Sequence, residues 1–133
     1  MIARIWLLGA LVVLPGCNQY SLDTYWHSGH YILIAIDAPG QMSLTTDDQR
    51  GMSGALVGPT VFSIGADDNH VVVKQHPSKD ASGEFDRSVT NYFIVDRAGD
   101  GKTVTGPLSE SEFLKLSASQ SLPAFTRTFS ELE

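Results

Sequence analysis

The sequence predicts an α+β fold: a mainly antiparallel β-sheet of about five to six strands, with one helix near the C-terminus. Three observations carry that prediction. Short apolar runs bounded by Gly, Pro, Asp and Asn recur through the middle of the chain, at Tyr31–Ile36, Thr60–Ile64, His70–His76 and Asn91–Asp96, which is the pattern of strands separated by turns. One clear helix start, "LSESEF" at 108–113, follows all of them. Strands first and a helix late place the chain in the α+β class rather than among alternating α/β folds.

The elements follow in chain order. Met1 to Arg4 is a short positive segment and Ile5 to Leu14 an unbroken apolar run. At 1.5 Å per residue that run spans ~15 Å, about half a bilayer's hydrocarbon core. It is too short for a spanning helix and suits a secretory signal. Pro15 and Gly16 then precede Cys17, the single cysteine of the chain.

Leu14-Pro15-Gly16-Cys17 resembles the bacterial lipobox, with a branched apolar residue three before the cysteine and a small residue just before it. Pro15 departs from the small or β-branched residue usual at its position. The resemblance implies diacylglyceryl transfer to the Cys17 thiol, cleavage before it and acylation of the new amino terminus. The alternative is a plain cleaved signal with a stray thiol, but no A-x-A site is present. Lipid on Cys17 would leave no thiol for a disulfide, a nucleophile or a zinc-thiolate site. Several acyl chains would anchor the protein firmly, each buried methylene contributing ~0.8 kcal/mol. Asn18 lacks the aspartate that resembles an inner-membrane retention signal, so outer-membrane sorting is expected in a Gram-negative source. The expected division is a signal peptide over 1–16, a lipidated tether over 17–24 and one domain over 25–133.

Within the domain, Tyr31–Ile36 has no polar face and is closed by Asp37 and Ala38-Pro39-Gly40, which predicts a strand buried on both faces. Gln41–Thr46 alternates weakly and is expected to pair back on it. Thr46–Gly58 is rich in Asp and Gly and is expected to be a loop. Thr60–Ile64, the turn Asp67-Asp68-Asn69 and His70–His76 predict a hairpin, since Asp and Asn bond the local backbone and tolerate positive φ. Pro77–Thr90 is a long polar loop, Asn91–Asp96 a strand, and Thr103–Thr105 a short strand after the "RAGDGK" turn. Ser109 and Glu112 form a capping box, with Leu108 and Phe113 placed as its hydrophobic staple. In the tail, Phe125 and Phe129 are expected to share a face.

Charge narrows the partners. The chain has nine basic and fifteen acidic residues, a net −6. A signal over 1–16 takes only Arg4 with it, so the mature protein would be more acidic still. That argues against nucleic acid and anionic head groups as partners and leaves the membrane, through lipid on Cys17, and a basic envelope protein.

Candidate chemistry is thin. His27 and His30 have H-x-x-H spacing, but in extended chain an odd spacing puts the rings on opposite faces. His70 and His76 have even spacing, yet six residues hold them ~20 Å apart, too far for one ion; solvated or edge-packed rings are expected. Asp96, Asp100 and Gly101 look like a calcium loop without its ladder and terminal Glu, and a hairpin turn explains them. Asp47-Asp48 and Asp67-Asp68 are turn acids first. Ser53 in "GMSG" lacks the strand–turn–helix context of a nucleophile elbow. No catalytic residue, metal ligand or cofactor is therefore assigned. Recognition falls to the loops Thr46–Gly58 and Lys79–Thr90 and to Tyr25, Trp26 and Tyr31, aromatics that are otherwise core.

The segments "ADDNHVVVKQHP", "NYFIVD" and "GPLSESEFLKL" occur together with the lipobox. In this the chain resembles small bacterial lipoproteins grouped as a domain of unknown function, over roughly residues 30–117. The resemblance implies the sheet-plus-helix fold and brings no activity. The expected function is a non-enzymatic, membrane-anchored binding or interaction module. An inhibitor or immunity protein is one version, with Asp47, Asp48, Asp67, Asp68, Glu84 and Asp86 as an acidic contact side. The alternative is a small envelope hydrolase or metal-dependent enzyme built from His27, His30, His70 and the loop acids.

Overall fold

The computed structural model describes residues 23–48, 51–52 and 54–133. β1 (Asp23–Ser28) and β2 (Tyr31–Ala35) form a hairpin closed by Gly29 and His30, where Gly29 adopts a φ of 59°. A 3-10 turn at Pro39–Gln41 returns the chain into β3 (Ser43–Asp48), which pairs with β2 in the register Leu33 to Leu44. The two-residue β4 (Gly51–Met52) pairs with the end of β3 and completes the smaller sheet, in the order β1-β2-β3-β4.

The larger sheet is built from β5 (Val61–Ala66), β6 (His70–Gln75), β7 (Asn91–Asp96), β8 (Thr103–Leu108) and the short β9 (Arg127–Thr128). Its order is β8-β7-β6-β5-β9, with antiparallel neighbours throughout. The predicted Asp67–Asn69 turn closes β5 onto β6, and the Asp67 carboxylate accepts from the Asn69 and His70 amides. The α+β architecture expected from the sequence is the one observed.

Strand alternation sorts the side chains of β6 and β7 into two cores. Val71, Val73 and Val95 face the smaller sheet, where they meet Tyr31, Leu33, Met42, Leu44, Phe62 and Ile64. Val72, Tyr92 and Ile94 face the other way and are covered by Phe113 of the helix α1 (Glu110–Ser119) and by Leu108, Leu116, Leu122 and Phe125. The molecule is thus layered: small sheet, large sheet, helix with tail.

Three expectations are corrected here. Tyr31, Leu33 and Ala35 enter the core, but on the opposite face Ile34 is 6% exposed and Ile36 49% exposed, so that face of the strand is open at one end. Phe125 and Phe129 do not share a face. The tail crosses the helix side of β5, with the Thr126 amide bonded to the Ile64 carbonyl, and then pairs at the sheet edge. Phe125 therefore joins the helix-side core and Phe129, 3% exposed, the core between the sheets. Third, the six acids do not form one side. Asp67 and Asp68 occupy the turn at one end of β6, whereas Glu84 and Asp86 lie in the loop beyond its other end, where the Asp86 amide bonds the Pro77 carbonyl. Asp47 belongs to the first end, its amide bonded to the His30 carbonyl.

Candidate functional site

The outward face of β2 and β3 carries Ile34 opposite Ser43 and Ile32 opposite Thr45, with Ile36 just past the end of β2, because every second residue of a strand points away from the core. Two loops rise beside this face. Residues 54–57 run along β3, with the Leu56 and Val57 amides donating to the Leu44 carbonyl and the Thr45 hydroxyl donating to the Gly54 carbonyl at 3.2 Å. Residues 78–86 fold over the β2–β3 connection, placing the Phe85 ring against Gly40. Between them lies a groove of about 600 Å³.

Its composition decides what it can hold. Ile34 and Ile36 form the floor, and Gly40, Gly54, Ala55, Pro59 and Gly83 leave the walls low. Gln41, Ser43, Thr45 and Ser78 supply uncharged hydrogen-bonding groups. None of the described lining residues is charged. Such a slot suits a neutral, largely apolar group and offers nothing to balance an ionic one.

The loop over it is held in shape locally. Hydrogen bonds from Ser82 hold the Asp80 carboxyl below the usual carboxylate range, and those from Ser88 do the same for Asp86. Arg87 stacks on Phe85 at 4.9 Å and donates to the backbone carbonyls of Glu131 and Glu133, tying the loop to the C-terminus. Both segments singled out from the sequence contribute walls to one groove, although Thr46–Gly58 is not the loop expected: β3 runs to Asp48 and β4 occupies Gly51–Met52.

The other candidates go elsewhere. Tyr31 is 1% exposed and belongs to the core, its hydroxyl donating to the Gly101 carbonyl at 2.6 Å. Tyr25 and Trp26 pack partly buried on the same core, Tyr25 edge-on to Phe129 at 6.0 Å. His27 and His30 are exposed, and the His30 ring stacks on Tyr31. His76 is neither solvated nor at an edge. It is 2% exposed, stacked 4.1 Å from Phe62, with Nδ1 bonded to the Val89 carbonyl and Nε2 without a partner. His70 is half-buried, its Nδ1 also without a partner.

Asp96 and Asp100 accept from the Ala98 and Lys102 amides as turn acids. Among the described residues no group of three His, Cys, Asp or Glu side chains is placed to hold a metal ion. Cys17 and Ser53 lie outside the described residues. The sequence did not point to the floor of the groove, Ile34 and Ile36, as a site. The only available signal was that Tyr31–Ile36 is apolar on both faces, so that one face needs a cover from outside the sheet.

A model of a protein family described as being of unknown function, DUF3997, matches residues 28–124. No curated protein matches the chain. No solved structure matches it.

Proposed function

The chain belongs to the DUF3997 family, and we propose that it is a lipid-anchored envelope protein whose domain is a non-enzymatic binding module. The observation that supports a binding role is the convergence of residues 54–59 and 78–86 on one uncharged groove over Ile34 and Ile36. The anchor rests on the sequence Leu14-Pro15-Gly16-Cys17 and its short apolar leader. Outer-membrane placement follows from Asn18 if the source is Gram-negative.

An electrostatic inhibitor is the weaker version of this role, because its acids are divided between two ends of the sheet. A neutral ligand or an apolar segment of an envelope protein fits the groove better.

Membrane fractionation of the Cys17→Ser protein tests the anchor. Loss of the acylated Cys17 peptide from the mass spectrum should accompany the loss of tight membrane association. Unchanged partitioning refutes the anchor. Titration with a neutral apolar fluorophore tests the module: saturable binding is expected, and Ala55→Trp, which fills the groove, should abolish it. Equal binding by both proteins refutes the groove as the site.

A further inference from the structure

We infer that the groove over β2 and β3 is a seat for an acyl chain, and that its occupant is the lipid on Cys17 of the same molecule; this rests on the lipid anchor proposed above. The ligand class follows from the lining. An apolar floor of Ile34 and Ile36, low walls of glycine and alanine, and a rim of uncharged Gln41, Ser43 and Ser78 accept a hydrocarbon chain. Among the described residues the lining offers no counter-charge for a phosphate, a carboxylate or a cation, although 18% of the chain is charged. Ile36, 49% exposed, is one of three large hydrophobics left open among the described residues, and it sits in this slot.

The choice of occupant follows from where the chain enters the fold. β1 begins at Asp23, which pairs with Ala35, and Thr24 pairs with Ile34. The chain therefore leaves toward Cys17 at the strand that carries the groove floor. Five residues lie between Cys17 and Asp23, and the six steps span at most ~20 Å when extended. A lipid attached there starts within reach of Ile36. Tethering makes its entry intramolecular, with the high effective concentration of a short linker, whereas any free lipid must be recruited from the bilayer. The groove and the anchor then form one device, in which an acyl chain covers Ile36 at the open end of this face.

The test places a photoreactive residue at position 36 of the full chain, irradiates the processed protein in its membrane, and identifies the linked peptides by mass. The expected product is the position-36 peptide joined to the acylated Cys17 peptide, in a band of monomer size. Links to membrane phospholipid or to another protein overturn the proposal, as does a link to Cys17 confined to a dimer band or no link at all. The same photoreactive residue in place of Leu114, on the exposed face of α1, should give no such product; an equal yield there overturns the proposal as nonspecific. In a second variant, Ala55→Trp combined with the position-36 probe, most of the Cys17 link should be lost, and an undiminished yield also overturns it. The mass of the Cys17 peptide separates the two ideas. Unmodified Cys17 refutes the anchor itself, while acylated Cys17 unlinked to position 36 refutes only its seat in the groove.

Discussion

At the scale of single residues, Tyr31 and Arg97 join three turns. The Tyr31 hydroxyl donates to Gly101. The Arg97 guanidinium lies 5.1 Å over the Tyr31 ring and donates to the Ser28 hydroxyl at 2.8 Å and the Asp67 carbonyl at 2.9 Å. The β1–β2, β5–β6 and β7–β8 turns are thus held together by one buried hydrogen bond and two part-buried ones. Tyr31→Phe should cost about 1–2 kcal/mol, because a buried carbonyl loses its donor, and a urea titration would read this. Gly101→Ala should cost more than Tyr31→Phe in the same titration. Its new Cβ would fall 2.4 Å from the Tyr31 oxygen, at a φ of 69° that side chains disfavour. Burial pushes the Tyr31 hydroxyl above its ordinary pKa, with Arg97 opposing and Asp96 and Asp100 adding to the rise. The folded state therefore favours the neutral phenol. That contribution is complete below the usual tyrosine range and is lost as pH rises through the higher folded value. Stability measured across the alkaline range should fall less steeply in Tyr31→Phe, and an identical slope would show that Tyr31 is not the group titrating.

At the scale of elements, α1 and the tail behave differently. The helix is specified by its own first turn: the Ser109 hydroxyl accepts from the Glu112 amide at 3.2 Å, and the Glu112 carboxylate accepts from the Ser109 amide at 2.7 Å. Ser109→Ala should cost about 1 kcal/mol in thermal or urea unfolding. Hydrogen bonds from the Ser109 amide and hydroxyl hold the Glu112 carboxyl below its usual range. Its support of the helix is present above the ordinary glutamate pKa and is lost as pH falls through the lowered folded value. Glu112→Gln keeps an acceptor without the charge, so its stability should fall less on acidification than that of the parent; parallel curves would refute this. The tail depends on a neighbour instead. A Cβ on Gly65 would lie 1.9 Å from the Ala124 carbonyl oxygen. Gly65→Ala must push residues 122–126 off β5, at the upper end of the ~1–3 kcal/mol typical of overpacking. Faster exchange of the Thr126 amide, which bonds the Ile64 carbonyl, would locate the damage.

At the scale of the whole molecule, the large sheet is covered by the small sheet on one face and by the helix and tail on the other. The small sheet's outer face is covered, among the described residues, only by loops. Phe129 and Leu132, at the end of the chain, fill the core between the sheets, so the last residues help to close the fold that the first strand opens. Phe129→Ala should cost about 3–5 kcal/mol by leaving a cavity in that core, read by chemical denaturation. A loss under 1 kcal/mol would mean that the chain end is dispensable. On the outer face of β2 and β3 the loops bury Ile34 and Thr45 and leave Ile36 49% exposed. That is why the groove lies there, with Ile36 at its open end.

The sequence by itself determined what depends on neighbours along the chain. The strands at Thr60–Ile64 and Asn91–Asp96, the Asp67–Asn69 turn and the Ser109–Glu112 cap are legible because alternation, turn chemistry and capping act over a few residues. The short apolar run before Cys17 is read from the sequence alone and lies outside the described residues. Tertiary structure alone decided which faces met. Tyr31 went to the core because Gly101, seventy positions away, receives its hydroxyl. His76 was buried because Phe62 and Phe85 close around its ring. Phe125 and Phe129 parted because the tail crosses one face of β5 before pairing at its edge. The groove, too, exists only where two loops distant in sequence meet over Ile34 and Ile36. Burial is a property of contacts between remote segments, and periodicity along a chain says only that a face is apolar, not what will cover it.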